Sequence, residues 1–296
     1  MSSTLLLPLD GSEKDRWAVV FGAMFAALTR SNVLIVRVIH PAIDDRHRHF
    51  VGRCLRKAVD RLADARGLPV SYEVAEGADV ANVLLRMAEE QDVQLVVMAT
   101  RAATGLDRAL RGSVADRLVR ESRRPIVVAP PGAEHLREHR LLRRALIPVD
   151  GSRASRRAIE HLASWPLANE LEIVFLQATA AEPTGGYMMP VAVTSSTEST
   201  GNVIEWVHVN AERAEDELNI LADDLRTTFA TVDVRVVERN DPAGAILDAT
   251  RQELADFIAM TTRGAGGIKR FVLGSVAEQV VRDSEIPVLL VTPEER

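Results

Sequence analysis

Two short segments carry residue types suited to anion recognition, and each occurs twice. The first is Asp10-Gly11-Ser12, which returns as Asp150-Gly151-Ser152. The second is Gly112-Ser113, followed by Val114, which returns as Gly274-Ser275-Val276. A glycine lets a phosphate approach backbone N–H groups with no Cβ in the way. A glycine-serine step that opens a helix adds N–H groups without intrahelical partners at the positive end of the helix dipole, and the serine hydroxyl is a further donor. The chemistry indicated is binding of a phosphate-bearing ligand. No spacing of serine, histidine and aspartate, and no carboxylate pair, marks a catalytic set, so no catalytic residue is assigned.

The recurrence runs through the whole chain. Pro8-Leu9-Asp10-Gly11-Ser12 matches Pro148-Val149-Asp150-Gly151-Ser152 at an offset of 140. Gly112-Ser113-Val114-Ala115 matches Gly274-Ser275-Val276-Ala277 at an offset of 162, as Pro125-Ile126-Val127-Val128 matches Pro287-Val288-Leu289-Leu290. The change of offset places 22 extra residues in the second copy. The polar, glycine-containing stretch 183–202 is their expected site, read as a loop. Two domains follow, 1–138 and 139–296, with His135 to Arg144 as a basic linker turn.

Each copy alternates strand and helix. Leu5 to Leu9, Val33 to Ile39, Val70 to Val74, Leu95 to Met98 and Ile126 to Ala129 read as strands. Trp17, Val20, Phe21, Met24, Phe25 and Leu28 recur at helical spacing and form a buried face. Ser12 with Asp15, Ser113 with Asp116, and Ser275 with Glu278 have capping-box spacing, and Asp79 begins a helix. Strands that are apolar throughout and alternate with helices predict an α/β fold whose parallel sheet is covered on both faces. Ligands of such sheets bind beyond the carboxyl ends of the strands, where strand order reverses.

The segment after the fourth strand reads Met98-Ala99-Thr100-Arg101-Ala102 before Gly112-Ser113, and Met260-Thr261-Thr262-Arg263-Gly264 before Gly274-Ser275. With the Asp-Gly-Ser turns, these residues resemble the universal stress protein family over both copies, so the chain resembles a tandem member. Nucleotide-binding members carry Gly-x-x-Gly, nine residues, then Gly-Ser or Gly-Thr. The nine-residue spacing is kept between Ala102 and Gly112 and between Gly264 and Gly274. The resemblance implies two tandem doubly wound five-stranded domains with strand order 3-2-1-4-5, placing Asp10 and Asp150 beside these loops. It further implies ATP, with or without Mg2+, as cofactor. The aspartate would meet a ribose hydroxyl or the metal, and the backbone near Val38 or Ala178 would meet the adenine.

The copies depart from the motif unequally. Copy one has Ala99 and Ala102 at the two glycine positions. Copy two has Thr261 at the first and keeps Gly264. A methyl group costs about 1 kcal/mol where φ must be positive, and threonine is stiffer still. The favoured site is therefore Asp150, Ala178, Thr261, Gly264, Gly274, Ser275 and Val276. The weaker one is Asp10, Val38, Ala99, Ala102, Gly112, Ser113 and Val114. The expected function is an ATP-binding regulatory protein of the stress response. A nucleotide-free interaction scaffold and a slow ATPase are the alternatives.

Composition excludes other classes. At 47% hydrophobic and 26% charged residues the chain is of ordinary globular composition. It contains no apolar run of membrane-spanning length, and a net charge of −6 argues against general nucleic-acid affinity. A cytoplasmic protein is expected. The lone Cys54 excludes an internal disulfide and reads as a small buried residue. His40, His47 and His49 read as an exposed loop, since Arg46 and Arg48 between them would repel a metal cation. The loop Gly264 to Arg270 lacks the Gly-Lys-Ser/Thr ending of a phosphate loop. Trp165 is expected in the core, and Tyr187, Met188 and Met189 in the inserted loop. The apolar last strands predict that the copies pair across a pseudo-two-fold axis; a homodimer and a protein partner are further expectations.

Overall fold

A computed structural model describes residues 3–13, 15–99, 113–130, 141–179, 203–262 and 273–292. The first copy runs β1 (Thr4–Pro8), α1 (Asp15–Thr29), β2 (Asn32–Ile39), α2 (Asp45–Arg66), β3 (Val70–Glu76), α3 (Val80–Glu90), β4 (Val93–Ala99), α4 (Ser113–Glu121) and β5 (Ile126–Ala129). The second runs β6 (Arg144–Pro148), α5 (Arg156–Ala163), β7 (Glu172–Thr179), α6 (Val203–Leu225), β8 (Thr231–Glu238), α7 (Pro242–Gln252), β9 (Phe257–Thr261), α8 (Ser275–Asp283) and β10 (Val288–Val291). A single 3-10 turn, Ala168–Glu170, precedes β7. The expected domain boundary at 138/139 and the whole 183–202 insertion, with Tyr187 to Met189, lie outside the described residues.

The strand order is β3-β2-β1-β4-β5-β10-β9-β6-β7-β8. Each half has the expected order 3-2-1-4-5 and is parallel within itself. The halves are joined into one ten-stranded sheet through an antiparallel β5–β10 seam. Short apolar last strands would otherwise leave two unpaired edges, and pairing them satisfies both. The register opposes Val127 to Leu289, Val128 to Val288 and Ile126 to Leu290. Val127 and Leu289 are equivalent at the offset of 162, so the pseudo-two-fold axis passes between them.

A second pair of equivalents meets near the same axis. Phe25 of α1 and Trp165, just beyond α5, are related by the offset of 140, and their rings lie edge to face with centroids 6.2 Å apart. Phe257 of β9 completes the cluster, 5.4 Å from Phe25 and 6.3 Å from Trp165. Trp165 is buried as expected. Among the described residues, Phe21, Met24, Phe25 and Leu28 line the core face of α1, as their spacing predicts. Asp79 and Asp241 cap α3 and α7, accepting from the backbone N–H of Asn82 and Gly244 at 3.1 Å each.

Several expectations are corrected. Cys54 is exposed: the buried stripe of α2 runs through Val51 and Leu55, and Cys54 falls outside it. His47 and His49 stand on α2 rather than in a loop, because Asp44 accepts from the His47 N–H at 2.8 Å and starts the helix early. Arg144 is not linker but the first residue of β6, where its guanidinium meets Glu172, Asp233 and Glu253 at 3.2 Å each. Gly274, not Ser275, is the N-cap of α8.

Candidate functional site

In each copy the first strand lies between the second and the fourth, so their carboxyl ends form one rim. Pro8 is in register with Val36, and Pro148 with Leu176. The chain then continues one residue further in sheet fashion, with the Leu9 N–H on the Val36 carbonyl and the Val149 N–H on the Leu176 carbonyl, both at 2.8 Å. Asp10 and Asp150 follow, and each carboxylate accepts from the backbone N–H two residues on, at 2.9 Å from Ser12 and 3.0 Å from Ser152. This Asx turn requires the intervening glycine in the left-handed region: φ is +79° at Gly11 and +73° at Gly151.

The fourth-strand side of the rim is described best in copy two. Thr261 ends β9 beside Val291 of β10. Thr262 follows, and its carbonyl accepts from the Gly274 N–H at 2.8 Å. That bond closes the intervening loop and brings the N-terminus of α8 to the end of β9. Gly274 has extended geometry and no capping side chain, and Ser275 is exposed in the first helical turn. Thr261 is 6% exposed, so the branched side chain it carries in place of a glycine is packed within the protein. Asp150, Ala178, Thr261, Gly274 and Ser275 thus share one rim, with Val276 half-buried behind them. Gly264 lies outside the described residues. In copy one, Asp10, Val38 and Ala99 share the equivalent rim, and Val114 is half-buried on α4, which begins at Ser113; Ala102 and Gly112 lie outside the described residues.

The two turns are dressed differently. In copy one Arg37, on β2, donates to the Leu9 carbonyl at 3.3 Å and packs over Gly11, so that a Cβ there would lie 3.1 Å from its Nη1. Asp15 reaches back from α1 and accepts from the N–H groups of Asp10 at 3.0 Å and Gly11 at 2.6 Å. Burial raises the Asp15 carboxyl above its usual range, against the pull of those two donors. The Ser12 hydroxyl is buried and makes no hydrogen bond among the described residues, so it does not cap α1 as its spacing predicts; Asp15 has taken the neighbouring donors instead. In copy two the equivalents of Arg37 and Asp15 are Gln177 and Ser155. Among the described residues, its chain neighbours aside, no atom comes within 4 Å of where a Cβ on Gly151 would stand, and the Ser152 hydroxyl accepts from the Ser155 N–H at 3.2 Å. Arg37 was not singled out by motif. Its signal was a cation near the end of an otherwise apolar strand.

The chain belongs to the universal stress protein family, whose model matches residues 1–130 and again 142–292. It is a tandem member. A universal stress protein of Mycolicibacterium smegmatis is 26% identical over 98% of this chain and 97% of its own length. One from Mycobacterium tuberculosis is 23% identical over 97% and 95%. A solved universal stress protein from Archaeoglobus fulgidus shares the fold with a TM-score of 0.66 at 19% identity, covering 99% of each chain. Among the described residues, no helix is long and apolar enough to cross a membrane.

Proposed function

We propose that the protein binds ATP in its second copy and acts as a cytoplasmic regulatory protein of the stress response, with the bound nucleotide favouring one conformation or assembly that a partner protein reads. The observation that carries this reading is that Asp150 and its glycine turn share one rim with the N-terminus of α8, whose N-cap Gly274 has no side chain to cap it. The N–H groups of that helix end and the Ser275 hydroxyl would take phosphate oxygens. Asp150 would take a ribose hydroxyl or an accompanying Mg2+, and the backbone at Ala178 the adenine. Gly264 would add the close backbone approach that its kept place in the motif implies.

Copy one favours the nucleotide-free alternative. The Arg37 side chain covers Gly11, and Ala99 stands at the end of β4 where nucleotide-binding members have glycine. The expected stoichiometry is therefore one ATP per chain, measured by calorimetry and by mass spectrometry of the gently purified protein after denaturation. Stabilisation should grow as RT ln(1 + [ATP]/Kd), reaching about 2.7 kcal/mol at a hundredfold excess over Kd. Gly274→Val should abolish that shift, with circular dichroism checking that the variant folds, and Gly112→Val should do less. Absence of heat and thermal shift at saturating Mg-ATP would leave the scaffold as the function. A larger loss from Gly112→Val would move the site to copy one.

A further inference from the structure

The helices α2 and α6 occupy the same place in the two copies, between the second and third strands. They cover opposite ends of the sheet, α2 against β2 and β3, α6 against β7 and β8. Their charges are opposite. Over 45–60, α2 carries Arg46, Arg48, Arg53, Arg56 and Lys57 against Asp45 and Asp60. Over 211–225, α6 carries Glu212, Glu215, Asp216, Glu217, Asp223 and Asp224 against Arg213 alone.

The spacing turns each set into a stripe. At 100° per residue, Arg46, Phe50, Arg53 and Lys57 fall within about 60° of one another on α2. Glu212, Asp216 and Ile220 climb α6 at intervals of four, with Asp223, paired with Arg226 just past the helix, a turn further on. Phe50 is 55% exposed and Ile220 67% exposed, so each charged stripe holds an uncovered apolar side chain. Arg48 is engaged with Glu76 and Arg56 with the Tyr72 hydroxyl, which leaves the Arg46–Arg53–Lys57 side of α2 facing away from the sheet edge. Within one chain the two stripes are separated by eight strand spacings, roughly 40 Å at the spacing of a sheet, and cannot meet.

We propose that the basic stripe of α2 on one molecule docks against the acidic stripe of α6 on a second copy of this chain, with Phe50 and Ile220 in the contact. The arrangement is heterologous, because the two patches differ. Exposed ion pairs are individually weak, so the association is reversible. It loosens as the screening length falls from roughly 30 Å at 0.01 M salt to 8 Å at 0.15 M.

Sedimentation velocity of the full chain tests this at about 0.01 M and about 0.3 M salt. The wild type is expected to associate in the first and dissociate in the second. Arg53→Glu/Lys57→Glu turns the α2 stripe acidic, and Glu212→Lys/Asp216→Lys turns the α6 stripe basic, so in each variant both stripes carry the same sign and it should associate at least about tenfold more weakly. All four positions are exposed, and circular dichroism checks that the variants fold. An equimolar mixture of the two should associate again, since each supplies the charge the other needs. Cys54, the chain's single cysteine, stands on the exposed side of α2, and its reaction with a maleimide should slow on association. A wild type that stays monomeric at low salt, variants that associate like the wild type, or a mixture that fails to recover would each overturn the proposal. A monomer captured instead by an acidic protein would be among those overturning results.

Discussion

The turn after β1 and the turn after β6 share a sequence, an Asx hydrogen bond and a left-handed glycine, yet they present different surfaces. Around Asp10 the rim is closed down by Arg37 over Gly11 and by Asp15 beneath, and the Ser12 hydroxyl is left without a hydrogen bond among the described residues. Around Asp150 the serine is satisfied by Ser155, and among the described residues beyond its chain neighbours nothing packs over the glycine. The difference arises from two positions outside the shared motif, Arg37 against Gln177 and Asp15 against Ser155, and from the contacts these permit. A repeated motif therefore specifies the backbone of a site, while its neighbours decide whether a ligand has room.

Equivalent positions in the two copies provide tests of increasing delicacy. The largest effect is expected at the aromatic seam. Trp165→Ala and Phe25→Ala should each cost about 3–5 kcal/mol in denaturant unfolding, as large-to-small changes in a packed core do. Trp165→Ala should be the worse, because the hydrogen bond from its Nε1 to His161 Nε2 at 3.3 Å is lost as well. The double variant should reveal a coupling of about 0.5–1.5 kcal/mol for the edge-to-face pair. Additive losses would mean that the two copies are not in register at the axis.

Next comes the pair Phe21 and His161. Copy one buries a phenylalanine where copy two half-buries a histidine, whose pKa burial pushes down to about 4 from 6.5. Between those values the unfolded chain binds the proton and the folded one does not. Stability should therefore fall as pH drops from 6.5 towards 4, by up to about 3 kcal/mol at 1.36 kcal/mol per pH unit. His161→Phe, copying the other half, should remove that slope in unfolding curves taken across the window. An unchanged slope would place the titration elsewhere.

A smaller contrast is expected at the glycines. Gly151→Ala should cost about 1 kcal/mol for its positive φ, and Gly11→Ala about 2, since the new methyl group also displaces the Arg37 guanidinium. Equal costs would mean that Arg37 does not rest on Gly11. The smallest contrast is between the serines. Ser152→Ala should lose about 1 kcal/mol with its bond to the Ser155 N–H. Ser12→Ala should be neutral or slightly stabilising, because a buried hydroxyl without a partner is removed. Thermal unfolding of the two variants side by side distinguishes them.

Much of the architecture was legible in the residues. The duplicated Asp-Gly-Ser, Gly-Ser-Val and proline-led last strands define two copies, and the apolar runs locate all five strands of copy one to within a few residues. Helical spacing in α1 marks the buried face that contains Phe25. These features are local: a period of two or 3.6, a cap, or a glycine that permits positive φ is written in consecutive residues. What the tertiary structure alone decided depends on residues far apart in the chain. The β5–β10 register, centred on Val127 and Leu289, could be expected as a pairing but not read as a register, because antiparallel partners carry no mark of their alignment. Cys54 was misplaced because a small apolar residue one position off a helix stripe faces solvent. Arg37 covers Gly11, and Phe25 meets Trp165, because the sheet brings neighbouring strand ends together and its seam brings equivalent helix ends together. Which described side chains cover each Asp-Gly turn is set by those long-range contacts, and no local pattern encodes them.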